Sequence, residues 1–352
     1  DSWKAEPAAE DRDGYLNGTL ATELRQRFLR GEIHEGCKAC QYMEQHSDWS
    51  FRKQAWLTFE KHDMDWQAEP VLRSEEVNLS NICNLRCRTC GPDRSSRWIS
   101  DAAAAGQETF GVQEISWSLD NRVHDMVELI FLGGEPLLHT DQIMTELRKI
   151  DAVGRIPALD VSFTTNMMTA FSAELLELMS RTAATFVACS IDGYGSLNEY
   201  VRSDSIWDHV QRNFNDLLHW QQGRDNIYLG LNYCYSALNC NGLEDLLAWL
   251  QTMPQHVKVT FIPLYSPSYY DARNLPQISK SRLIARYTEL LKRMPDYTNL
   301  INAVIAHLQQ ERLIPLDEFT RAFVSRTRWL DGRRAADIRV ANPELAEWMG
   351  II

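Results

Sequence analysis

The sequence predicts an α/β fold, an open partial (β/α)6 barrel with an N-terminal helical segment and a helical C-terminal extension. Six short β-rich runs begin near residue 75, helical patterns separate most of them, and almost every unusual polar residue comes just after a predicted strand. Alternation of this kind is typical of a parallel sheet with right-handed crossovers. Six units are too few for a closed eight-stranded barrel, so we expect an open one.

The segment before the barrel is predicted to be helical. One helix is expected over Thr19–Arg30, ended by Gly31, and a second across Gln41–His62. Between them lie Cys37 and Cys40, at a spacing that suits a metal site.

The barrel and the extension are predicted from an ordered series of patterns. Strands are expected at Glu76–Leu79, Glu128–Leu132, Leu159–Thr164, Thr185–Ile191, Asn226–Tyr233 and His256–Ile262. Helices are expected at Asp141–Ile150, Ser172–Arg181, Trp207–Gln221, Leu243–Leu250, Arg282–Arg293, Asn299–Arg312 and around Asp317–Trp329. The predicted domains are therefore the N-terminal segment, the barrel and the C-terminal extension, at residues 1–70, 71–277 and 278–352.

Composition limits the classes of function. The chain has 352 residues and a formal net charge of −12, and no basic run stands out, so nucleic acid is not an expected partner. No stretch approaches the roughly 20 apolar residues needed to span a bilayer, so no membrane partner is expected. Five of the eight cysteines lie in two tight clusters, which indicates metal binding in a reducing, cytoplasmic compartment rather than a disulfide scaffold.

The first predicted barrel strand is followed by Cys83, Cys87 and Cys90. Three thiolates at these spacings can surround one centre, and soft thiolates suit an iron–sulfur cluster or zinc. Structural zinc usually takes four ligands, and no fourth Cys or His lies nearby in the sequence. Three ligands on a [4Fe-4S] cubane leave one iron open for a substrate or cofactor. The predicted occupant is such a cluster, with zinc as the alternative.

This C-x3-C-x2-C loop on the first strand resembles that of the radical S-adenosylmethionine (SAM) superfamily. The resemblance implies that the open iron binds the amino and carboxylate groups of SAM. It implies an enzyme that cleaves SAM reductively to a 5′-deoxyadenosyl radical, which abstracts hydrogen from a substrate. A low-potential electron donor, such as a flavodoxin or ferredoxin, is the implied partner. One departure from the family is Thr89, where an aromatic residue often precedes the third cysteine.

The resemblance also assigns SAM-binding residues at later strand ends. Gly133, Gly134 and Glu135 resemble the family's GGE motif, in which the paired glycines allow close approach and the carboxylate accepts hydrogen bonds from the ammonium group. Taken alone, the same residues make a good strand-to-helix turn. Ser190 resembles a position that contacts SAM, and Arg202 one that pairs with its carboxylate.

Four further residues at strand ends are candidates to bind SAM. Thr165 and Asn166 can bind ribose hydroxyls, or alternatively cap a helix. Asp192 is either a ligand or a turn and capping residue. Asn232, at the end of the fifth strand, is expected to line the cavity near the adenosyl group.

The pair Cys37 and Cys40, followed by Glu44, Ser50 and Arg52, resembles a segment of radical SAM proteins that carry a twitch domain, a shortened SPASM module. This resemblance implies that the pair supplies half the ligands of a second [4Fe-4S] cluster. A zinc site or a plain thiol pair is the alternative.

The other ligands of such a cluster would be expected upstream of the first residue, unless Cys234 and Cys240 substitute for them. The C-terminal extension resembles this group as well, around Trp329-Leu330-Asp331-Gly332-Arg333-Arg334. Asp331 and Arg333 are interpreted either as residues that close over the pocket or as solvated side chains.

The substrate class follows only from the resemblance. Relatives with twitch or SPASM domains often modify peptides or small sugars, so a peptide is expected first and a sugar- or nucleoside-like molecule second. A hypothesis of a different class is a non-catalytic zinc or iron–sulfur scaffold. Glu135 argues against it, because a structural zinc loop has no use for an ammonium-binding carboxylate one strand away.

Overall fold

A computed structural model of the chain describes residues 16–38, 40–41, 44, 50–64, 71–109 and 111–351. The chain divides into two compact units. The first comprises Asp1–Glu75 and Asp120–Glu128, and the second comprises Glu76–Leu119 and Leu129–Ile352.

Six strands form one parallel sheet in which spatial order follows chain order, from β1 at one end to β6 at the other. The strands are β1 (Ser74–Asn78), β2 (Glu128–Leu132), β3 (Asp160–Thr165), β4 (Ala184–Ser190), β5 (Ile227–Tyr235) and β6 (Lys258–Pro263). Each strand pairs with the next along the chain, and the sheet does not close on itself. The predicted open partial barrel is thus confirmed.

The register of the central strands brings their carboxyl ends to one edge. Ser190 of β4 pairs with Asn232 of β5, which pairs with Thr260 of β6. Successive side chains of a strand point to opposite faces of the sheet. Val187 and Leu231 are buried on one face, whereas the three paired polar side chains lie on the other and are at least partly exposed. Polar groups from three strands therefore meet at this edge of the inner face.

Helices occupy the connections and the C-terminal extension. They are α1 (Thr19–Leu29), α2 (Phe51–Lys61), α3 (Ile99–Ala104), α4 (Thr140–Ala152), α5 (Ala173–Met179), α6 (Ser196–Val201), α7 (Trp207–Gln221), α8 (Leu243–Leu250), α9 (Gln277–Arg293), α10 (Thr298–Gln309), α11 (Leu316–Arg334), α12 (Ile338–Ala341) and α13 (Pro343–Trp348). In α7 the buried residues Val210, Phe214 and Leu217 recur every three or four positions, which places them on one face. Within the described ranges, no helix combines the length and the apolar character needed to cross a membrane.

Short 3-10 turns link many of these elements. They lie at Glu35–Cys37, Ser96–Trp98, Asp120–His124, Pro136–His139, Ile156–Ala158, Ala237–Asn239, Ser268–Tyr270, Ala272–Asn274 and Pro295–Tyr297.

One predicted helix is wrong in its extent. A single helix was expected across Gln41–His62, but Ser50 is extended, with φ −155° and ψ 162°, and α2 begins only at Phe51. The Ser50 side chain accepts a hydrogen bond from the Lys53 N–H, which is the geometry of an N-cap. Most of residues 41–49 lie outside the described part of the chain.

Candidate active site

The cysteine loop follows β1 and lies at the carboxyl edge of the sheet. Cys87 is buried, Cys83 and Cys90 are partly exposed, and all three line one cavity of about 290 Å³. The Cys90 N–H donates to the Cys87 carbonyl at 3.0 Å, and the Leu85 N–H lies 3.4 Å from the Cys83 Sγ. The fully buried Leu85 side chain anchors the loop between them. The structure therefore brings the three predicted ligands to one opening.

The thiols of this loop are held in their protonated form by their surroundings. Burial raises the pKa of all three, to about 12 for Cys87, while the nearby Arg202 guanidinium acts in the opposite direction. Metal ligation requires thiolates, so iron binding must release these protons. Among the described residues, no three His, Cys, Asp or Glu side chains are grouped for a single metal ion.

The glycine turn after β2 packs directly against the cysteine loop. Gly133 has φ +120°, and a Cβ there would clash with the Asn78 side chain. A Cβ at Gly134 would clash with the Ile82 carbonyl, which accepts a hydrogen bond from the Glu135 N–H at 2.9 Å. Glycine is therefore required at both positions for the turn and the loop to approach this closely.

The Glu135 carboxylate is almost completely buried, 1% exposed, and it accepts three hydrogen bonds. The Thr165 hydroxyl donates to Oε1 at 2.8 Å and the Leu137 N–H at 3.2 Å, while the Asn166 N–H donates to Oε2 at 2.8 Å. Burial raises the pKa of this carboxyl, and the three hydrogen bonds oppose the shift. A carboxylate accepts about four hydrogen bonds, so Oε2 retains room for one more donor, such as an ammonium group.

Thr165 and Asn166 position Glu135 and the loop. Besides its backbone contact, Asn166 donates from Nδ2 to Asn84 Oδ1 at 2.7 Å, and Nδ2 lies 3.8 Å from the Cys83 Sγ. The alternative N-cap role is wrong for both residues, because Ser172 caps the following helix, α5.

Arg202 and Asp192 form a buried ion pair. The guanidinium donates to Asp192 Oδ2 at 2.8 Å, and Asp192 Oδ1 accepts the Cys234 N–H at 2.9 Å. Burial acts to lower the pKa of Arg202, but the Asp192 carboxylate and, once it is ionised, the Cys87 thiolate outweigh it and raise that pKa. The Arg202 Nε is buried and has no hydrogen-bond partner within the described residues, although Arg202 lines the cavity. An unsatisfied cationic N–H in such a cavity fits a carboxylate ligand.

Most of the predicted site residues share this cavity. Ten line it: Cys83, Cys87, Cys90, Gly133, Gly134, Glu135, Thr165, Asn166, Ser190 and Arg202. Asp192 and Asn232 lie beside it, the first paired with Arg202 and the second in register with Ser190. Asp192 does not cap the next helix, α6, whose N-cap is Gly195.

Five lining residues escaped the sequence reasoning: Leu85, Arg94, Ser95, Leu132 and Thr164. Leu132 ends β2 and Thr164 is the second-last residue of β3, each directly before a predicted motif, so the alternation of faces along β2 and β3 is a signal that could have found them. Arg94 and Ser95 follow the third cysteine in a loop without periodicity, and no local pattern indicates their place.

In the first unit, Cys37 ends a 3-10 turn, and its N–H donates to the His34 carbonyl at 2.9 Å. Cys37 and Cys40 are both partly exposed, and residue 39 between them lies outside the described part. In the second unit, Cys234 is partly exposed on β5, whereas Cys240 is fully buried, which raises its pKa.

Glu44, Ser50 and Arg52, which follow the pair in the sequence, form one hydrogen-bonded group. The Glu44 Oε1 accepts from the Ser50 hydroxyl at 2.6 Å and from the Arg52 Nε at 3.1 Å. Arg52 and, to a smaller degree, Ser50 lower the pKa of Glu44 to about 2. These contacts order the start of α2.

Comparison with known proteins finds a local similarity of sequence and several distant similarities of structure. The chain is 31% identical over 100 residues to GTP 3′,8-cyclase 2 of Mycobacterium tuberculosis and of Mycobacterium bovis. That segment is 27% of this chain and 25% of the relatives, so the chain spans about a quarter of the curated proteins it matches. No protein-family model matches the sequence.

Among solved structures, the chain is similar to anSMEcpe with bound AdoMet, with a TM-score of 0.47, 15% identity and coverage of 62% of this chain and 60% of that one. A structure of anSMEcpe with AdoMet and the Kp18Cys peptide matches with a TM-score of 0.46 and 15% identity, over 65% of this chain and 62% of that one. Streptococcus suis SuiB bound to S-adenosylmethionine matches with a TM-score of 0.41 and 12% identity, over 80% of this chain and 59% of that one. In each case the chain spans less than two thirds of the protein compared.

Proposed function

We propose that this protein is a radical SAM enzyme in which Cys83, Cys87 and Cys90 hold a [4Fe-4S] cluster. The observation that carries the proposal is that these three thiols, the Glu135 turn and Arg202 line one cavity at the carboxyl edge of the parallel sheet. A cluster bound there supplies the chemistry of the class, one-electron reductive cleavage of SAM and hydrogen abstraction from a substrate.

The residues of the chain would orient SAM through its two charged ends. Glu135 accepts a hydrogen bond from the ammonium group at the free position of Oε2, and Arg202 donates from its unpartnered Nε to the carboxylate. Asp192 holds the Arg202 guanidinium in place. Thr165 and Asn166 fix the Glu135 carboxylate, so their role in ribose binding is secondary.

Ser190 and Asn232 would contact the ribose or adenine. They pair across β4 and β5 on the inner face of the sheet, and Ser190 lines the cavity. The electron enters from a low-potential donor, such as a flavodoxin or ferredoxin, in a cytoplasmic setting.

A peptide is the substrate we propose. The inner face of the sheet carries Phe186 and Tyr228, whose rings stack at 4.8 Å with 43% and 50% of their residue surface exposed. Phe186 lies four residues before Ser190 on the same strand and face, a distance of about 13 Å. About four residues of extended peptide span that distance, with one side chain on the stacked rings and another at the cavity.

A nucleoside-like substrate is the second candidate. It is favoured by the local match to GTP 3′,8-cyclase 2, whose name specifies a nucleotide. This candidate assigns no role to the stacked rings of Phe186 and Tyr228.

The decisive experiment is anaerobic reconstitution with iron and sulfide, followed by incubation with SAM and dithionite. We expect 5′-deoxyadenosine, measured by mass spectrometry, and about four irons and four sulfides per chain. Protein that holds zinc and no acid-labile sulfide would instead establish the non-catalytic scaffold.

The substrate class is tested in the same assay with a peptide library and with nucleoside triphosphates. A peptide substrate should stimulate 5′-deoxyadenosine formation, and Phe186→Ala and Tyr228→Ala should each weaken the stimulation. Stimulation by a nucleotide that both variants retain would favour the second candidate.

A further inference from the structure

Two residues separate the second and third cysteines, and the first of them, Arg88, is buried away from the cavity. Arg88 has a completely buried side chain and does not line the cavity that its neighbours Cys87 and Cys90 share. Its backbone N–H donates to the Val201 carbonyl at 2.7 Å, and its Nε donates to the Tyr200 carbonyl at 2.9 Å. The guanidinium also stacks on the Tyr200 ring at 3.7 Å.

Only one carboxylate among the described residues neutralises this buried cation. Asp331, at the end of α11 and 243 residues further along the chain, lies with Oδ1 2.5 Å from the Arg88 guanidinium. The same oxygen accepts from the Tyr200 hydroxyl at 3.0 Å, and Oδ2 accepts from the Ile338 N–H at 3.0 Å. Asp331 is thus held in place by Tyr200 and Ile338 while it pairs with Arg88. It is neither solvated nor closed over the pocket.

The same end of α11 makes further contacts with the back of the loop. Arg334 donates to the Arg86 carbonyl at 2.6 Å and stacks on Trp98 at 4.3 Å. The Trp98 indole N–H donates to the Cys87 carbonyl at 2.8 Å. Arg334 is itself held by Asp101, a buried carboxylate of α3, at 2.9 Å.

We infer that Asp331 is a positioning residue for the cysteine loop: through Arg88 it holds the backbone between the cysteines so that the three thiols face the cavity. A buried guanidinium without its carboxylate is strongly unfavourable, so the loop would leave this position if Asp331 lost its charge. The inference rests on the proposed function in that the thiols positioned are the ones proposed to hold the cluster.

The test is hydrogen exchange on metal-free protein, resolved to the amides of Arg86 and Arg88, which donate to the Ser203 and Val201 carbonyls. Asp331→Asn should accelerate exchange of these two amides about ten- to a hundredfold. Amides of β4 should be unchanged. Asp331→Glu, which keeps the charge, should stay close to the wild type.

Glu146→Gln is the matched control. Glu146 is a buried carboxylate that pairs with Lys149 at 2.7 Å, and within the described part of the chain its other hydrogen-bond partners are Ser118 and Leu119, outside the cysteine loop. This variant should leave the exchange of the loop amides as it is. Unchanged loop exchange in Asp331→Asn, or acceleration spread equally over the loop and β4, would overturn the inference.

The consequence for the cluster is measured separately. After anaerobic reconstitution, Asp331→Asn should lose iron to a chelator several-fold faster than the wild type and the Glu146→Gln control; equal rates in all three proteins would contradict the inference. If the wild type binds no iron–sulfur cluster, the proposed function fails, while the exchange result still decides the positioning role.

Discussion

Asp192 and Arg202 form an ion pair of 2.8 Å in which the carboxylate is only 1% exposed, and the arginine of this pair lines the cavity beside the three cysteines. The pair leaves the Arg202 Nε without a partner among the described residues. The carboxylate thus orients a cation whose remaining N–H is free for a ligand. In the proposed function, Asp192 holds the guanidinium in place and Arg202 binds the carboxylate of SAM.

Arg202→Met should weaken SAM binding. It removes a charge-assisted hydrogen bond worth about 1.5–3 kcal/mol, so the dissociation constant should rise about ten- to a hundredfold. Isothermal titration under anaerobic conditions measures it. Arg148→Met, which breaks only an exposed ion pair with Glu174, is the control and should bind SAM normally. Unchanged SAM affinity in Arg202→Met would show that the carboxylate of SAM does not bind to Arg202.

Glu135→Gln should weaken SAM binding while leaving the iron content unchanged. A neutral hydrogen bond contributes roughly half as much as a charge-assisted one, so we expect about a tenfold rise in the dissociation constant. The amide also places an NH₂ group among donors that now serve a carboxylate, so the unfolding midpoint should fall as well. Normal SAM affinity in this variant would make the glycine turn a structural feature only.

Replacing Cys83, Cys87 and Cys90 together with Ala should abolish cluster binding and 5′-deoxyadenosine formation. Far-ultraviolet circular dichroism should stay near that of the wild type, because the loop lies at the edge of the sheet. Cys189→Ala is the control, since this buried thiol belongs to β4 and does not line the cavity. Formation of 5′-deoxyadenosine by the triple variant would sink the assignment.

Gly134→Ala should destabilise the protein and disturb the cysteine loop. The added Cβ meets the Ile82 carbonyl, and overpacking against backbone typically costs about 1–3 kcal/mol. Gly332→Ala is the matched control in α11, where a Cβ meets open space and should stabilise by about 0.5–1 kcal/mol. Urea unfolding of both variants measures the contrast. Equal midpoints would show that the turn and the loop are not in close contact.

Cys37→Ala/Cys40→Ala tests the second cluster. If the pair ligates one, iron should fall from about eight per chain to about four in the double variant. Because two cysteines do not hold a cubane, we expect the 352-residue chain to hold about four irons with or without the substitutions, unless Cys234 and Cys240 supply the other two ligands. A count near eight in the unsubstituted chain would show that the remaining ligands lie within it.

The sequence was sufficient for the fold because its signals are local and periodic. β2, α7 and α8 have the bounds that the pattern predicted, and the other predicted barrel elements differ by a few residues at their ends. Motifs at strand ends were found for the same reason. The break before α2 does not follow from the helical pattern, because Ser50 interrupts the helix only through its extended backbone and its role as N-cap.

The long-range contacts that hold the cysteine loop in place could not be predicted from local patterns. Asp331 meets Arg88 across 243 residues, and the Arg334–Asp101 contact joins α11 to α3 across 233. Pairings at such separations follow from how helices pack, which no window of sequence contains. The role of Thr165 was uncertain for a related reason, since the direction of its hydroxyl toward Glu135 depends on the placement of two strands.

The contact between Asp331 and Arg88 also bears on the order in which the protein matures. During synthesis the cysteine loop leaves the ribosome 243 residues before the carboxylate that will neutralise Arg88. Until then the nascent loop lacks its fixed backing, and its thiols are open to oxidation and to adventitious metals. If the loop holds the proposed iron–sulfur cluster, that cluster should assemble after the emergence of α11, and loss of that helix by early termination should leave the loop without a stable cluster.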